Sequence, residues 1–275
     1  AAEVLDVNEN ESEIEKGDRV IVLPYMSCGT CFSCSKDKTN CCSQLKVLGV
    51  HTDGGMQQQI TVPVKFLLKA NHLSLDQIVI VEPLAIGAHA IKRAQLEKGE
   101  TAVVMGCGPI GIGLMKLAQL AGARVIAMDV DQRRLNYVRD KIGIHDVVNA
   151  SDQPLEKILV LTYGHLASVV FDATGNKQAL EQGPEYMSFG GRFVLVGLNK
   201  GELTYHHPSI HAKESSILCS RNATLEDFKY VMSVLDRFPV QEYLTHSSTI
   251  DEMIGDFDNW LDPGYGVIKA CVEFD

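Results

Sequence analysis

Residues 101–129, TAVVMGCGPIGIGLMKLAQLAGARVIAMD, decide the fold of this 275-residue chain. An apolar run, TAVVM, leads into the glycine pattern Gly106-Cys107-Gly108-Pro109-Ile110-Gly111, and a long amphipathic segment follows it. A glycine pattern of this kind is weak on its own, but a strand before it and a helix after it are the context in which it holds a dinucleotide. The first glycine permits a tight turn, the second lets backbone approach a pyrophosphate, and the third lets helix pack on strand.

The next apolar strand, RVIAMD, ends at Asp129. A carboxylate at that position suits the ribose hydroxyls of an adenosine and repels a 2′-phosphate, so the sequence favours NAD over NADP. The alternative is a solvated acid at the end of a strand. Arg134, five residues further on, could balance this acid, stack near adenine, or be an ordinary surface charge.

Outward from this motif, the chain divides into three segments. Residues 84–219 alternate helices with uniformly apolar strands, which predicts an α/β domain built on a doubly wound parallel sheet. Residues 1–83 carry short β-branched runs broken by turns, which is typical of a β-barrel. The remaining segment, 220–275, predicts helices at 224–237 and 251–260 and a closing strand, and we expect it to rejoin the first domain. The runs of the first segment are EVLDV (3–7), RVIVLP (19–24), VLGV (47–50) and QITVP (59–63).

Four of the eight cysteines lie within the loop 28–42, at Cys28, Cys31, Cys34 and Cys42. Two disulfides are the alternative, but no leader that would direct secretion opens the chain. The C-x2-C-x2-C-x7-C spacing indicates a zinc site, with Cys41 left open as a substitute fourth ligand. Four sulfur ligands leave no position for substrate, so we expect this zinc to be structural.

Glu82 is an acid within the apolar run QIVIVEPLAIGAHA. A buried carboxylate needs a partner, and a metal ion would supply one. The alternative is an N-terminal cap for a helix that Pro83 begins. His89 lies in that helix and is expected to be a buried, hydrogen-bonded residue rather than a ligand.

Composition narrows the class of protein. The apolar fraction of 45% can fill two ordinary cores. The net charge of −10 argues against nucleic-acid and anionic-membrane partners. No apolar stretch approaches the length of a membrane span. We therefore expect a globular, cytoplasmic protein.

The order of short motifs along the whole chain resembles the zinc-dependent medium-chain dehydrogenases. Residues 41–55 and 207–228 most resemble bacterial L-galactonate or L-gulonate 5-dehydrogenases, with sorbitol, galactitol and threonine dehydrogenases as near relatives. The motifs are GDRV, the cysteine quartet, GVHxDGG, VEPLAIGAHA, GxGPIG, DATGN, VGL and SRNAT.

The resemblance implies a GroES-like barrel, incomplete at its N-terminal side, and a Rossmann domain, with catalysis in the cleft between them. It also implies zinc and NAD as cofactors and a homo-oligomer, dimeric or tetrameric. The implied activity is hydride transfer to NAD from the secondary alcohol of a polyol or sugar acid. Matching positions assign Glu82 to a catalytic zinc and the following residues to the cofactor: Gly106, Gly108, Pro109, Ile110, Gly111, Asp129, Arg134, Thr174, Val196, Leu198 and Arg221.

Two departures from the family pattern bear on activity. Residues 54–59 read GGMQQQ where the family usually reads GGFAEY. Family members also place a zinc-binding Cys and a Gly-His-Glu motif ahead of the strand that opens this sequence. Glu82 alone cannot define a catalytic zinc site, because such a site takes three protein ligands. We therefore expect this 275-residue chain to be inactive. The alternatives are a threonine 3-dehydrogenase-like enzyme and a non-catalytic NAD-binding protein.

Overall fold

The computed structural model describes residues 1–274, which form two compact units. The first comprises Ala1–Ala85, Asn222–Asp236 and the residues from Tyr243 on, and the second comprises Ile86–Arg221 and Arg237–Glu242. The division into segments 1–83, 84–219 and 220–275 stays a prediction about domains. The sequence did not predict that the short stretch 237–242 groups with the second unit.

The strands fall into one large sheet and three small ones. Within residues 1–274 they are β1 Ala2–Glu3, β2 Arg19–Val22, β3 Tyr25–Met26, β4 Lys46–Val47, β5 Leu67–Lys69, β6 Thr101–Met105, β7 Arg124–Asp129, β8 Asp146–Asn149, β9 Ala167–Asp172, β10 Met187–Leu195, β11 Ser216–Cys219, β12 Leu244–Thr249 and β13 Lys269–Glu273.

The helices range from one turn to more than five. In the same residues the α-helices are α1 Leu75–Ala94, α2 Pro109–Leu120, α3 Gln132–Tyr137, α4 Pro154–Leu161, α5 Lys177–Gln182, α6 His207–Ala212, α7 Leu225–Val234, α8 Val240–Tyr243 and α9 Ile250–Leu261. Among them, no helix combines the length and the apolar character needed to cross a membrane.

The second unit is built on a parallel sheet with strand order β11-β10-β9-β6-β7-β8. This confirms the predicted α/β fold. Strands β6, β7 and β9 are largely buried, which is why their sequences are so uniformly apolar. The sequence did not predict β11, because this edge strand is mostly exposed and its apolar run is only three residues long, at 217–219.

The first unit carries small sheets in the orders β1-β2-β5, β3-β4 and β12-β13. Val4, Ile14 and Val20 form a buried cluster beneath the first of these. The prediction of a strand at 59–63 is wrong, since these residues have no regular structure. Pro63 instead precedes a short 3-10 turn, and β5, which follows that turn, pairs with β2.

Helix α1 begins eight residues earlier than the predicted start at Pro83. The Ser74 hydroxyl accepts a hydrogen bond from the Gln77 backbone N–H (3.2 Å), and the Gln77 side chain accepts one from the Ser74 backbone N–H (2.9 Å). This reciprocal capping box fixes the helix start. Pro83 therefore lies inside the helix, and the alternative that Glu82 caps its N-terminus is wrong.

Candidate zinc and cofactor sites

The four predicted zinc ligands come together in the loop 28–42. Their Sγ atoms all lie within 4.8 Å of one another. The Cys31–Cys34, Cys28–Cys42 and Cys31–Cys42 sulfur distances are 3.5, 3.5 and 3.9 Å. A tetrahedral zinc with Zn–S bonds of about 2.3 Å requires sulfurs about 3.8 Å apart. The cluster therefore has the dimensions of a structural zinc site.

Backbone N–H groups surround these sulfurs. Thr30 and Cys31 donate from their backbone nitrogens to Cys28 Sγ at 3.4 Å, and the Thr30 hydroxyl donates to the same sulfur. The Thr30 backbone bond, then its hydroxyl bond and then the Cys31 bond lower the pKa of Cys28 to about 7. Gln44 donates in the same way to Cys42 Sγ at 3.3 Å. Hydrogen bonds of this kind favour the thiolate form that binds metal.

The adjacent cysteine does not belong to this cluster. Cys34 and Cys42 are buried and Cys28 and Cys31 are half-buried, whereas Cys41 is exposed. All eight cysteines are free thiols, so the structure supports the zinc interpretation over two disulfides. Cys42, and not Cys41, is the fourth member of the cluster.

The glycine pattern forms the predicted turn between β6 and α2. Gly106 has φ +100°, a backbone conformation that favours glycine. A Cβ on Gly111 would lie 1.8 Å from the Gly106 carbonyl oxygen, so this residue must be glycine for the helix to pack on the turn. A Cβ on Gly108 would meet only Arg134 Nη1, at 3.9 Å. The backbone at Gly108 is thus open to a ligand, as a pyrophosphate cradle requires.

Asp129 lies where β7 ends and faces the same turn. One carboxylate oxygen accepts the Cys107 backbone N–H at 2.6 Å, and the other accepts the Asp131 backbone N–H at 2.9 Å. Arg134 is half-buried in α3, with its guanidinium beside Gly108. The turn therefore has an acid on one side and a cation on the other.

A buried acid that the sequence analysis did not select joins two further loops. Asp172, the last residue of β9, is fully buried. One carboxylate oxygen accepts the Thr174 hydroxyl at 2.5 Å and the other accepts the Gly175 backbone N–H at 3.0 Å. Its carbonyl oxygen accepts the N–H groups of Val196 and Gly197 at 3.0 and 2.8 Å. The loops that carry Thr174, Val196 and Leu198 are therefore held at one strand end.

Glu82 lies in the interior of α1 and is half-buried. The Tyr25 hydroxyl donates to its Oε1 at 2.5 Å. Burial, followed by the Glu82 charge, raises the pKa of Tyr25, so the phenol stays protonated and remains a donor. The argument that Glu82 needs a metal as partner is therefore weaker than the sequence suggested, because a tyrosine already partners it.

The described residues do not assemble a catalytic zinc site around Glu82. Among residues 1–274, the cysteine cluster is the one group of three or more potential ligands found close together. His89 is half-buried and lines a shallow basic cavity of about 330 Å³, together with Lys92, Arg93 and Arg192. Arg221 is exposed two residues after β11.

Sequence reasoning missed Tyr25 and Asp172 for different reasons. Tyr25 lies in a two-residue strand, far from Glu82 in the chain, so no local pattern joins them. Asp172 belongs to the DATGN motif, but its role depends on the strand register, which pairs it with Met105 and Leu195.

Comparisons with known proteins assign the chain to a family. Residues 109–237 match the zinc-binding dehydrogenases, and residues 1–72 match the alcohol dehydrogenase GroES-like domain. L-galactonate-5-dehydrogenase of Escherichia coli K12 is 34% identical over 99% of this chain and 81% of its own length. Sorbitol dehydrogenase of Bacillus subtilis is 31% identical, over 79% of this chain and 63% of its own length.

A solved structure agrees in fold. The crystal structure of the alcohol dehydrogenase RspB from E. coli CFT073, complexed with NADH, has a TM-score of 0.86 and 28% identity, and covers 94% of this chain and 77% of that one. The fold of this chain is thus the fold of that dehydrogenase. The chain belongs to the zinc-binding alcohol dehydrogenase family, whose members include polyol and sugar dehydrogenases.

Proposed function

We propose that this chain binds NAD and serves hydride transfer from the secondary alcohol of a polyol or a sugar acid. The observation that carries the proposal is the turn at Gly106–Gly111, with an open backbone at Gly108 and the Asp129 carboxylate beside it. The 34% identity to an L-galactonate-5-dehydrogenase supports sugar acids as the substrate class.

In this proposal the glycine turn and the start of α2 hold the pyrophosphate. Backbone N–H groups at a helix N-terminus carry partial positive charge, and the Arg134 guanidinium adds a full one. Asp129 takes the adenosine ribose, where its charge disfavours a 2′-phosphate. NAD, when bound, supplies the hydride acceptor.

The nicotinamide would lie toward the loops that Asp172 joins. Leu198 is 86% exposed there, and a flat, largely apolar ring would cover such a side chain. Thr174 and Val196 flank the same strand ends. We assign these three residues to the nicotinamide side and Arg221 to the cofactor, as the resemblance implies.

Glu82 is proposed as a residue at or beside a catalytic zinc. One carboxylate is fewer than the three protein ligands that a catalytic zinc takes, and no group of three potential ligands among the described residues includes Glu82. No chemical step is therefore assigned to a metal here. We expect the 275-residue polypeptide on its own to bind NADH without oxidising an alcohol.

The first test is a titration of the 275-residue polypeptide with NADH, in which quenching of protein fluorescence measures binding. Saturable binding with weaker binding of NADPH is expected, and absence of NADH binding would contradict the proposal. The second test measures NADH formation by the native gene product with L-galactonate, L-gulonate, sorbitol, galactitol and L-threonine.

Each outcome of the substrate panel favours one of the candidate functions. Turnover of a sugar acid or polyol supports the proposal, and turnover of threonine alone would replace it with an amino-alcohol dehydrogenase. NADH binding with no turnover in the presence of zinc would favour a non-catalytic NAD-binding protein. The homo-oligomer implied by the resemblance is tested by light scattering on the same sample.

A further inference from the structure

The Asp172 carboxylate has no charged hydrogen-bond partner among its contacts, although it is fully buried. It accepts from the Thr174 hydroxyl and from the Gly175 backbone N–H. Burial raises the pKa of Asp172, and these two hydrogen bonds oppose that rise. Burying a carboxylate costs free energy unless hydrogen bonds replace the water contacts that it loses.

These hydrogen bonds hold a loop that touches the glycine turn on one side. The Thr174 methyl would lie 2.9 Å from a Cβ on Gly106, so the loop packs directly against the first glycine of the fingerprint. The Thr174 hydroxyl also accepts the Asn176 backbone N–H at 3.0 Å. This hydroxyl is thus committed both as a donor and as an acceptor.

The same loop touches the Val196–Leu198 segment on its other side. Gly175 has φ +63°, and a Cβ on it would lie 2.8 Å from the Leu198 carbonyl oxygen. A Cβ on Gly197 would lie 2.2 Å from the Gly175 backbone nitrogen and 2.7 Å from Asp172 Oδ2. Asn199 closes the arrangement by donating from its side chain to the Gly175 carbonyl oxygen at 3.1 Å.

We propose that Asp172 is a positioning residue for the nicotinamide half of the cofactor. It fixes Thr174 and Gly175 between the glycine turn and the exposed Leu198, so that these residues together form one surface for the nicotinamide ring. Because the Thr174 hydroxyl is committed to Asp172 and Asn176, Thr174 contributes position and its methyl group rather than a free hydrogen-bond donor. This inference rests on the proposed NAD-binding function.

The test compares NADH with ADP-ribose, which carries the adenosine and pyrophosphate but no nicotinamide. Asp172→Asn keeps a carbonyl oxygen for Gly175 but presents an amide donor to the Thr174 hydroxyl. We expect NADH binding to weaken about tenfold, the effect of losing one hydrogen bond to a charged group. ADP-ribose binding should change less than about twofold, because the glycine turn and Asp129 are untouched.

Two variants of Thr174 guard against misfolding of Asp172→Asn. Thr174→Val keeps the methyl group that faces Gly106 but removes the hydroxyl, and is expected to weaken NADH binding like Asp172→Asn. Thr174→Ser keeps the hydroxyl but loses the methyl group, and is expected to weaken NADH binding less than Thr174→Val does. A direct hydrogen bond from Thr174 to the cofactor would instead be lost in Thr174→Val and kept in Asp172→Asn.

Unchanged NADH binding in Asp172→Asn would therefore overturn the inference, as would equal weakening of NADH and ADP-ribose in the variants. Failure of the wild-type protein to bind either ligand would overturn the proposed function itself. The two failures are thus distinguished within one set of titrations.

Discussion

The Tyr25 hydroxyl donates a 2.5 Å hydrogen bond to Glu82 Oε1, and the Tyr25 ring packs edge-to-face on Phe228 with centroids 6.2 Å apart. A carboxylate in the interior of a helix is thereby held by a tyrosine from a two-residue strand. The carboxylate orientation depends on this contact, whatever else Glu82 binds.

Replacing Tyr25 with Phe should lower the free energy of unfolding by about 1–2 kcal/mol, because Glu82 loses a donor while the ring packing remains. Urea denaturation measures the change. A double-mutant cycle with Glu82→Gln isolates the pair. A coupling energy indistinguishable from zero would show that the contact contributes nothing.

Cys42→Ser should remove the structural zinc, since three thiolates and a hydroxyl bind zinc far more weakly than four thiolates. We expect zinc affinity to fall by more than about 100-fold, because losing a direct ligand should cost more than losing a residue that only hydrogen-bonds to a ligand. Zinc content per chain and the melting temperature measure this. Cys41→Ser is the matched control and should keep both, because Cys41 is exposed and outside the cluster.

Alanine at Gly111 and alanine at Gly108 should affect different properties, namely stability and NADH binding. A Cβ at Gly111 would overlap the Gly106 carbonyl oxygen, so we expect a loss of more than about 3 kcal/mol of stability. Gly108→Ala should keep the melting temperature but weaken NADH binding, because the methyl group would occupy the open face of the turn. Equal destabilisation by both substitutions would contradict this view of the turn.

Asp129→Asn should raise the affinity for NADPH relative to NADH by about tenfold, since it removes the charge that repels a 2′-phosphate. The asparagine carbonyl oxygen can still accept the Cys107 N–H. Competitive titration with both dinucleotides measures the ratio. An unchanged ratio would mean that Asp129 serves only the backbone of the turn.

The hydrogen bonds of the Asp18 carboxylate should make the free energy of unfolding depend on pH. Hydrogen bonds from Lys69, the Glu15 backbone and Asn71 lower its pKa to about 2, and Lys69 Nζ lies 2.8 Å from the carboxylate. A depressed folded-state pKa means that this stabilisation is complete above the ordinary pKa of about 3.9 and is lost as the pH falls through about 2.

Asp18→Asn should therefore flatten the fall in stability between roughly pH 4 and pH 2. Urea denaturation across that range measures the slope. Asp53→Asn is the control, because it removes the same charge from an exposed position. A slope that Asp18→Asn leaves unchanged would show that another group governs acid unfolding.

The sequence predicted the parallel sheet well because both faces of its inner strands are buried, and uniform apolar runs are the signature of that environment. It missed β11 because that strand is exposed at the edge. The start of α1 was available in principle, since Ser74 and Gln77 have the spacing of a capping box, but Pro83 favoured a later start.

The candidate sites differ in how far apart their residues lie in the chain. The cysteine cluster and the glycine turn are local in the chain, so spacing and the flanking sequence predicted Cys28 and Gly106. Tyr25, the partner of Glu82, lies 57 residues away in the chain, and the contacts of the Asp172 carbonyl with Val196 and Gly197 depend on the register of β9 and β10. No periodicity reports such contacts, and they had to be read from the structure.

The zinc ligands also differ from the Asp172 contacts in how early they can form during folding. All four lie within one stretch, 28–42, so metal binding closes only short loops at small entropic cost. The loops at Asp172 meet only after distant parallel strands have aligned, and such pairings form slowly. Zinc can therefore order its loop while the surface assigned to nicotinamide is still unformed, and cofactor affinity should be among the last properties to return on refolding.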